Sequence, residues 1–82
     1  MSEKLFVPPE TFRALLEQSG LADGAFATLI GVTPQAVSGW KAGRISISPY
    51  VAAFLLAWNR LTPKKRAQVQ SDHRRTLRPK AA

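Results

Sequence analysis

The sequence predicts an all-α domain, and three observations carry that expectation. Three hydroxyl–proline pairs, Thr33-Pro34, Ser48-Pro49 and Thr62-Pro63, each precede a helix-favouring stretch. A hydroxyl residue at the N-cap followed by proline at the first helical position is a start signal, because the missing proline N–H has no intrahelical partner to lose there. Glycines at positions 20, 31 and 43 stand where the apolar periodicity stops, as left-handed helix ends require. Strand-like alternation is confined to Arg44-Ile45-Ser46-Ile47, too short a run for a sheet. With 82 residues the chain has room for one domain with a modest core.

Five helices are expected in order. Pro8-Pro9 opens the first, from Pro9 to about Gln18, with Phe12, Leu15 and Leu16 on one side and Gly20 beyond its end. The second spans Asp23 to Ile30. Asp23 can cap or favour its start, Phe26, Ala27 and Ile30 form its apolar stripe, and Gly31 closes it. The third spans Pro34 to Ala42, is capped by Thr33 and ends at Gly43. The fourth, PYVAAFLLAWNRL, is apolar nearly all round and must be covered on more than one side. The fifth starts at Pro63, is basic, and runs to around Arg75 before fraying through Pro79. The organisation is an N-terminal arm (1–8), a helical domain (9–61) and a basic C-terminal helix and tail (62–82).

The charge is distributed unevenly. Residues 1–59 balance Lys4, Arg13, Lys41 and Arg44 against Glu3, Glu10, Glu17 and Asp23. Residues 60–82 set Arg60, Lys64, Lys65, Arg66, Arg74, Arg75, Arg78 and Lys80 against Asp72 alone. The whole net charge of +7 therefore lies in the last quarter of the chain. A cationic tail of this density points to a polyanion, nucleic acid before anionic membrane. No apolar anchor accompanies the charges, which argues against a membrane surface.

The second and third helices, joined by Gly31-Val32-Thr33, have the spacing of a helix-turn-helix. On the third, Val37 and Trp40 are three apart and face inward. Gln35, Ser38, Gly39 and Ala42 fall on the opposite side, with Lys41 and Arg44 at its edge and C-terminal end. A lean polar face of this kind suits close approach to base edges in a major groove, and edge cations suit the phosphates beside it.

The stretch GLADGAFATLIGVTPQAVSGWKAGR resembles the helix-turn-helix of the lambda-repressor/Cro-like regulators, the Cro/C1 or XRE type. The features that carry the resemblance are Leu21, Phe26-Ala27, Ile30-Gly31-Val32, Val37, Trp40 and Gly43, and it extends over residues 10–60. It implies a compact five-helix domain whose recognition helix is Pro34–Ala42. The implied base-reading positions are Thr33, Pro34, Gln35, Ser38 and Gly39, with phosphate contacts at Lys41 and Arg44. Where the family usually carries a phosphate-holding glutamine, this chain has Asp23, whose charge would repel a phosphate. Pro34 offers apolar contact only, as to a thymine methyl, and Gly39 costs the helix about 1 kcal/mol relative to alanine. Gln35 is then the best placed for a bidentate contact to adenine, worth roughly 1–3 kcal/mol of discrimination. Lys64, Lys65, Arg66, Arg74 and Arg75 are expected to add phosphate contacts that ignore sequence.

The fourth helix offers Val51, Phe54, Leu55 and Trp58 to the core, leaving Tyr50, Ala53, Leu56 and Ala57 exposed on a single chain. An apolar face of this kind marks a protein contact, and a two-fold homodimer through it would set two recognition helices about 34 Å apart on a palindromic operator. The expected function is a sequence-specific regulator of double-stranded DNA, a dimeric autorepressor of phage or mobile-element type. The alternative is an antitoxin-like adaptor whose main partner is another polypeptide, such as a toxin.

Other classes find little support. The chain has no cysteine and one histidine, so disulfides, thiolate sites and a metal centre are not expected. Ser71-Asp72-His73 has the letters of a catalytic triad, but consecutive helical residues point about 100° apart and cannot face one another. No enzyme activity and no cofactor are expected. MSEKLFVPPE has charges and prolines where a signal peptide is apolar, so a cytoplasmic location is expected.

Overall fold

The computed structural model describes residues 6–79. Lys4 and Lys80, and the first five residues of the expected arm, lie outside the described residues. The described residues fold into five helices: α1 (Pro9–Ser19), α2 (Asp23–Ile30), α3 (Pro34–Ala42), α4 (Pro49–Asn59) and α5 (Pro63–Thr76). Among the described residues there is no strand, and no helix is long and apolar enough to cross a membrane.

Two of the three hydroxyl–proline starts work through their side chains. Thr33 Oγ1 accepts from the Ala36 amide at 3.1 Å and Thr62 Oγ1 from the Lys65 amide at 3.2 Å. Ser48 occupies the N-cap of α4 in an extended conformation, yet its hydroxyl makes no capping bond. Asp23 does not cap either. The N-cap of α2 is Ala22, and Asp23 is the first helical residue, where its charge favours the positive end of the helix without closing it. The carboxylate is turned instead to Lys41 of α3.

The helix ends follow the glycines. Gly20, Gly31 and Gly43 have φ of 73°, 78° and 79°, a region costing other residues about 1–2 kcal/mol. At Gly43 this turn lets its amide bond back to Gly39 and Trp40, and the Arg44 amide reach the Gly39 carbonyl at 2.9 Å. The first helix runs one residue past the expected end because Ser19 is self-satisfied. Its hydroxyl donates to the Leu16 carbonyl and accepts from the Leu21 amide. The fourth stops at Asn59, two residues early. There the amides of Arg60 and Leu61 bond three residues back, to Ala57 and Trp58, a tighter turn that ends many helices.

The core is built around α1, which packs against α3 and α4, while α2 packs against α3. Phe12 is fully buried. Its ring lies 5.9 Å from Phe26 and meets the Trp40 ring edge-on at 5.7 Å, a favoured aromatic geometry. Leu16, Ala27, Val37, Ile47, Val51 and Leu55 complete the cluster. Phe54, half-buried, bridges Phe26 at 6.3 Å and Trp58 at 5.8 Å. The outer side of α4 is left open. Tyr50 is 71% and Leu56 53% exposed, with Ala53 and Ala57 exposed beside them. The fifth helix buries none of its own residues and does not cover that side.

Candidate nucleic-acid interface

Thr33, Pro34, Gln35 and Ser38 stand exposed together at the start and on the outer side of α3, with Ala42 one turn further on. Around a helix with 3.6 residues per turn, Pro34, Ser38, Ala42 and Gln35 fall within a single arc. Val37 and Trp40 occupy the opposite arc and are buried. The open face is held in place by the residues beneath it, since Trp40 is wedged against Phe12.

Gly39 does not belong to that face. It is buried, because Ile45, folded back by the Gly43 turn, lies on it. A Cβ built at Gly39 would stand 2.4 Å from Ile45 Cδ1 and 2.7 Å from Cγ1. Its lack of a side chain serves the close packing of the α3–α4 connector, so Gly39, expected among the base-reading positions, lies beneath Ile45 and outside the exposed arc. The helical wheel alone placed it at the edge of the polar arc; the turn beyond Gly43 decided which side of the edge was covered.

The cations around the face also differ from expectation. Lys41 Nζ lies 2.9 Å from Asp23 Oδ2, an ion pair joining α2 and α3, with side chains 38% and 43% exposed. Arg44 is exposed at the C-terminal end. Arg13 joins them from α1: its guanidinium donates to the Lys41 carbonyl, where the negative end of α3 favours a cation. Nothing local in the sequence assigns Arg13 to this place, because it depends on how α1 crosses α3.

On α5, Arg66, expected at a phosphate, has its guanidinium bonded to protein carbonyls. Its Nε donates to the Trp58 carbonyl at 3.1 Å, Nη2 to that of Asn59 at 3.3 Å and Nη1 to that of Ser19 at 3.4 Å. Its guanidinium carbon lies 5.7 Å from the Trp58 ring centroid. The Ser19 carbonyl also accepts from the Trp58 indole N–H at 3.2 Å. Arg66 thus gathers the C-terminal carbonyls of α1 and α4, where the helix dipoles draw a cation, and its planar fork is committed to protein. The signal in the sequence was Trp58, whose buried indole N–H needs an acceptor; that an arginine would share the acceptor was not readable.

Lys64, Lys65, Arg74 and Arg75 are exposed. Arg75 faces Asp72 at 3.7 Å and Ser71 Oγ at 3.3 Å, both at the surface. Ser71 and Asp72 therefore address an arginine one turn away. His73 stands in a 410 Å³ open groove between α2 and α5, with Gly24, Thr28, Leu29, Gln70 and Arg74. No cluster of three His, Cys, Asp or Glu capable of holding a metal occurs among the described residues. Compared with known proteins, the chain matches no protein-family model, no curated protein and no solved structure.

Proposed function

We propose that this protein is a sequence-specific, double-stranded-DNA-binding transcriptional regulator with a lambda-repressor/Cro-like helix-turn-helix, acting as a dimeric repressor of phage or mobile-element type. One observation carries this reading: the uncovered arc of α3, made of Thr33, Pro34, Gln35 and Ser38, is slim, polar and free of bulk. It is bordered by Lys41 on the last turn of α3, by Arg44 just beyond it and by Arg13 of α1. A helix presenting such a face can enter a major groove, where short side chains reach base edges and flanking cations meet phosphates. A repressor needs no further module, since occupying a promoter is enough.

Selection of duplexes from a random pool at physiological salt tests this. A recovered palindrome with half-sites about one helical turn apart is expected; equal retention of selected and scrambled duplexes would overturn it. The roles within the site separate cleanly. Gln35→Ala is expected to lose roughly 1–3 kcal/mol of discrimination at one base pair of each half-site. Replacing Lys64, Lys65, Arg74 and Arg75 by glutamine is expected to weaken all duplexes alike. The salt slope should fall by about 0.9 for each phosphate no longer neutralised. Anisotropy titrations on matched and mutated sites distinguish the two patterns, and the reverse assignment of effects would refute these roles.

The open face of α4 supports the dimer, with Tyr50, Ala53, Leu56 and Ala57 at its centre. Leu56→Glu is expected to shift the protein from dimer to monomer in sedimentation equilibrium at micromolar concentration and to reduce operator affinity. A wild-type monomer binding one copy per operator would exclude the dimer. The same face favours the second reading, an antitoxin-like adaptor for a different polypeptide; a heteromeric complex abolished in Leu56→Glu, with DNA binding intact, would identify it.

A further inference from the structure

The Lys41–Asp23 pair sits where the proposed DNA interface would need an unpaired cation. Lys41 lies on the last turn of α3, and Asp23 opens α2. The Nζ–Oδ2 separation is 2.9 Å, and both side chains are about two-fifths exposed. The carboxylate makes no capping bond to its own helix, so its one close partner among the described residues is the lysine of the recognition helix. The pair is too accessible to be a core element, and an ion pair in solvent contributes about 0–1 kcal/mol to folding.

We propose that Asp23 is an affinity-limiting residue, an intramolecular competitor that holds Lys41 against DNA phosphate. This inference rests on the DNA-binding function proposed above. A duplex seated on the arc of Thr33, Pro34, Gln35 and Ser38 brings its backbone to the flank occupied by Lys41. The phosphate can then take Lys41 only by displacing Asp23, and the displaced carboxylate is left a few ångströms from the phosphate. Both consequences oppose binding, and neither depends on base sequence, because every phosphate presents the same charge. Lys41 is already neutralised before DNA arrives, so its engagement releases fewer counterions than an unpaired lysine would. The pair therefore sets the overall strength of binding and leaves the choice of site to α3. For a repressor, weaker uniform binding lowers occupancy of the many non-operator sites that compete for it.

The test compares full-length wild type, Asp23→Asn, Lys41→Ala and the double variant. Each is titrated by fluorescence anisotropy on one selected operator duplex and one scrambled duplex, over a range of potassium chloride. Asp23→Asn is expected to bind both duplexes about tenfold more tightly, as removal of one like charge a few ångströms from a phosphate predicts. Its salt slope should steepen by about one. In the Lys41→Ala background the gain should shrink, since the competed cation is gone. Asp23→Ser serves as a second neutral variant, and thermal melts establish that each protein is folded. Unchanged or weaker binding by both folded neutral variants, with operator preference intact, overturns the inference and leaves the DNA-binding function standing. Wild type and variants all indifferent to duplex DNA would overturn both together.

Discussion

Phe12→Ala is expected to destabilise the domain by about 3–5 kcal/mol, the range for deleting a fully buried aromatic ring. A domain of this size has a total stability of roughly 5–10 kcal/mol, so the variant should be close to unfolded at body temperature. Among the described residues, Phe12 is the single ring that touches both Phe26 of α2 and Trp40 of α3, and it belongs to the helix around which the others pack. Its removal leaves a cavity under α3, at the point that fixes the orientation of the open arc. Urea denaturation followed by tryptophan fluorescence measures the destabilisation directly. A cost below about 1.5 kcal/mol would mean that the aromatic cluster relaxes around the gap, and that Phe12 does not organise α3.

Arg66→Ala is expected to cost about 1.5–3 kcal/mol, the worth of hydrogen bonds made by a charged donor, and to lower the melting temperature by about 10 °C. The residue binds the carbonyls of Ser19, Trp58 and Asn59 and stands near the Trp58 ring. It is thereby the main polar tie between α5 and the rest of the domain. Arg66→Lys should recover less than half of the stability, because an ammonium keeps the charge but cannot present the same fork to three acceptors. Its neighbours differ. Lys64→Ala and Lys65→Ala, at exposed positions, should alter stability by no more than about 0.5 kcal/mol. Thermal melts of the four variants decide the matter, and equal effects at all positions would contradict the clamp.

The contrast between Arg66 and Lys65 shows why site residues are harder to read than helices. In the sequence both are cations in the first turns of a basic helix, and composition treats them alike. Arg66 differs because α5 leaves α4 at an angle that brings its guanidinium onto the C-terminal carbonyls of α1 and α4. Gly39 makes the same point for shape. Its position on the helical wheel is compatible with the polar arc, yet the connector after Gly43 lays Ile45 on it. Lys41 makes it for charge, since its partner Asp23 is 18 residues away in the chain.

The sequence by itself determined the five helices, two of the three hydroxyl caps, the glycine ends and most of the buried residues. These depend on interactions within a few positions along the chain and on apolar periodicity, both written in the order of residues. Only the tertiary structure decided which polar and charged side chains were free. A cation or a glycine becomes available, neutralised or covered through groups brought beside it by helix packing, and electrostatic and steric neighbours of that kind have no fixed spacing in sequence.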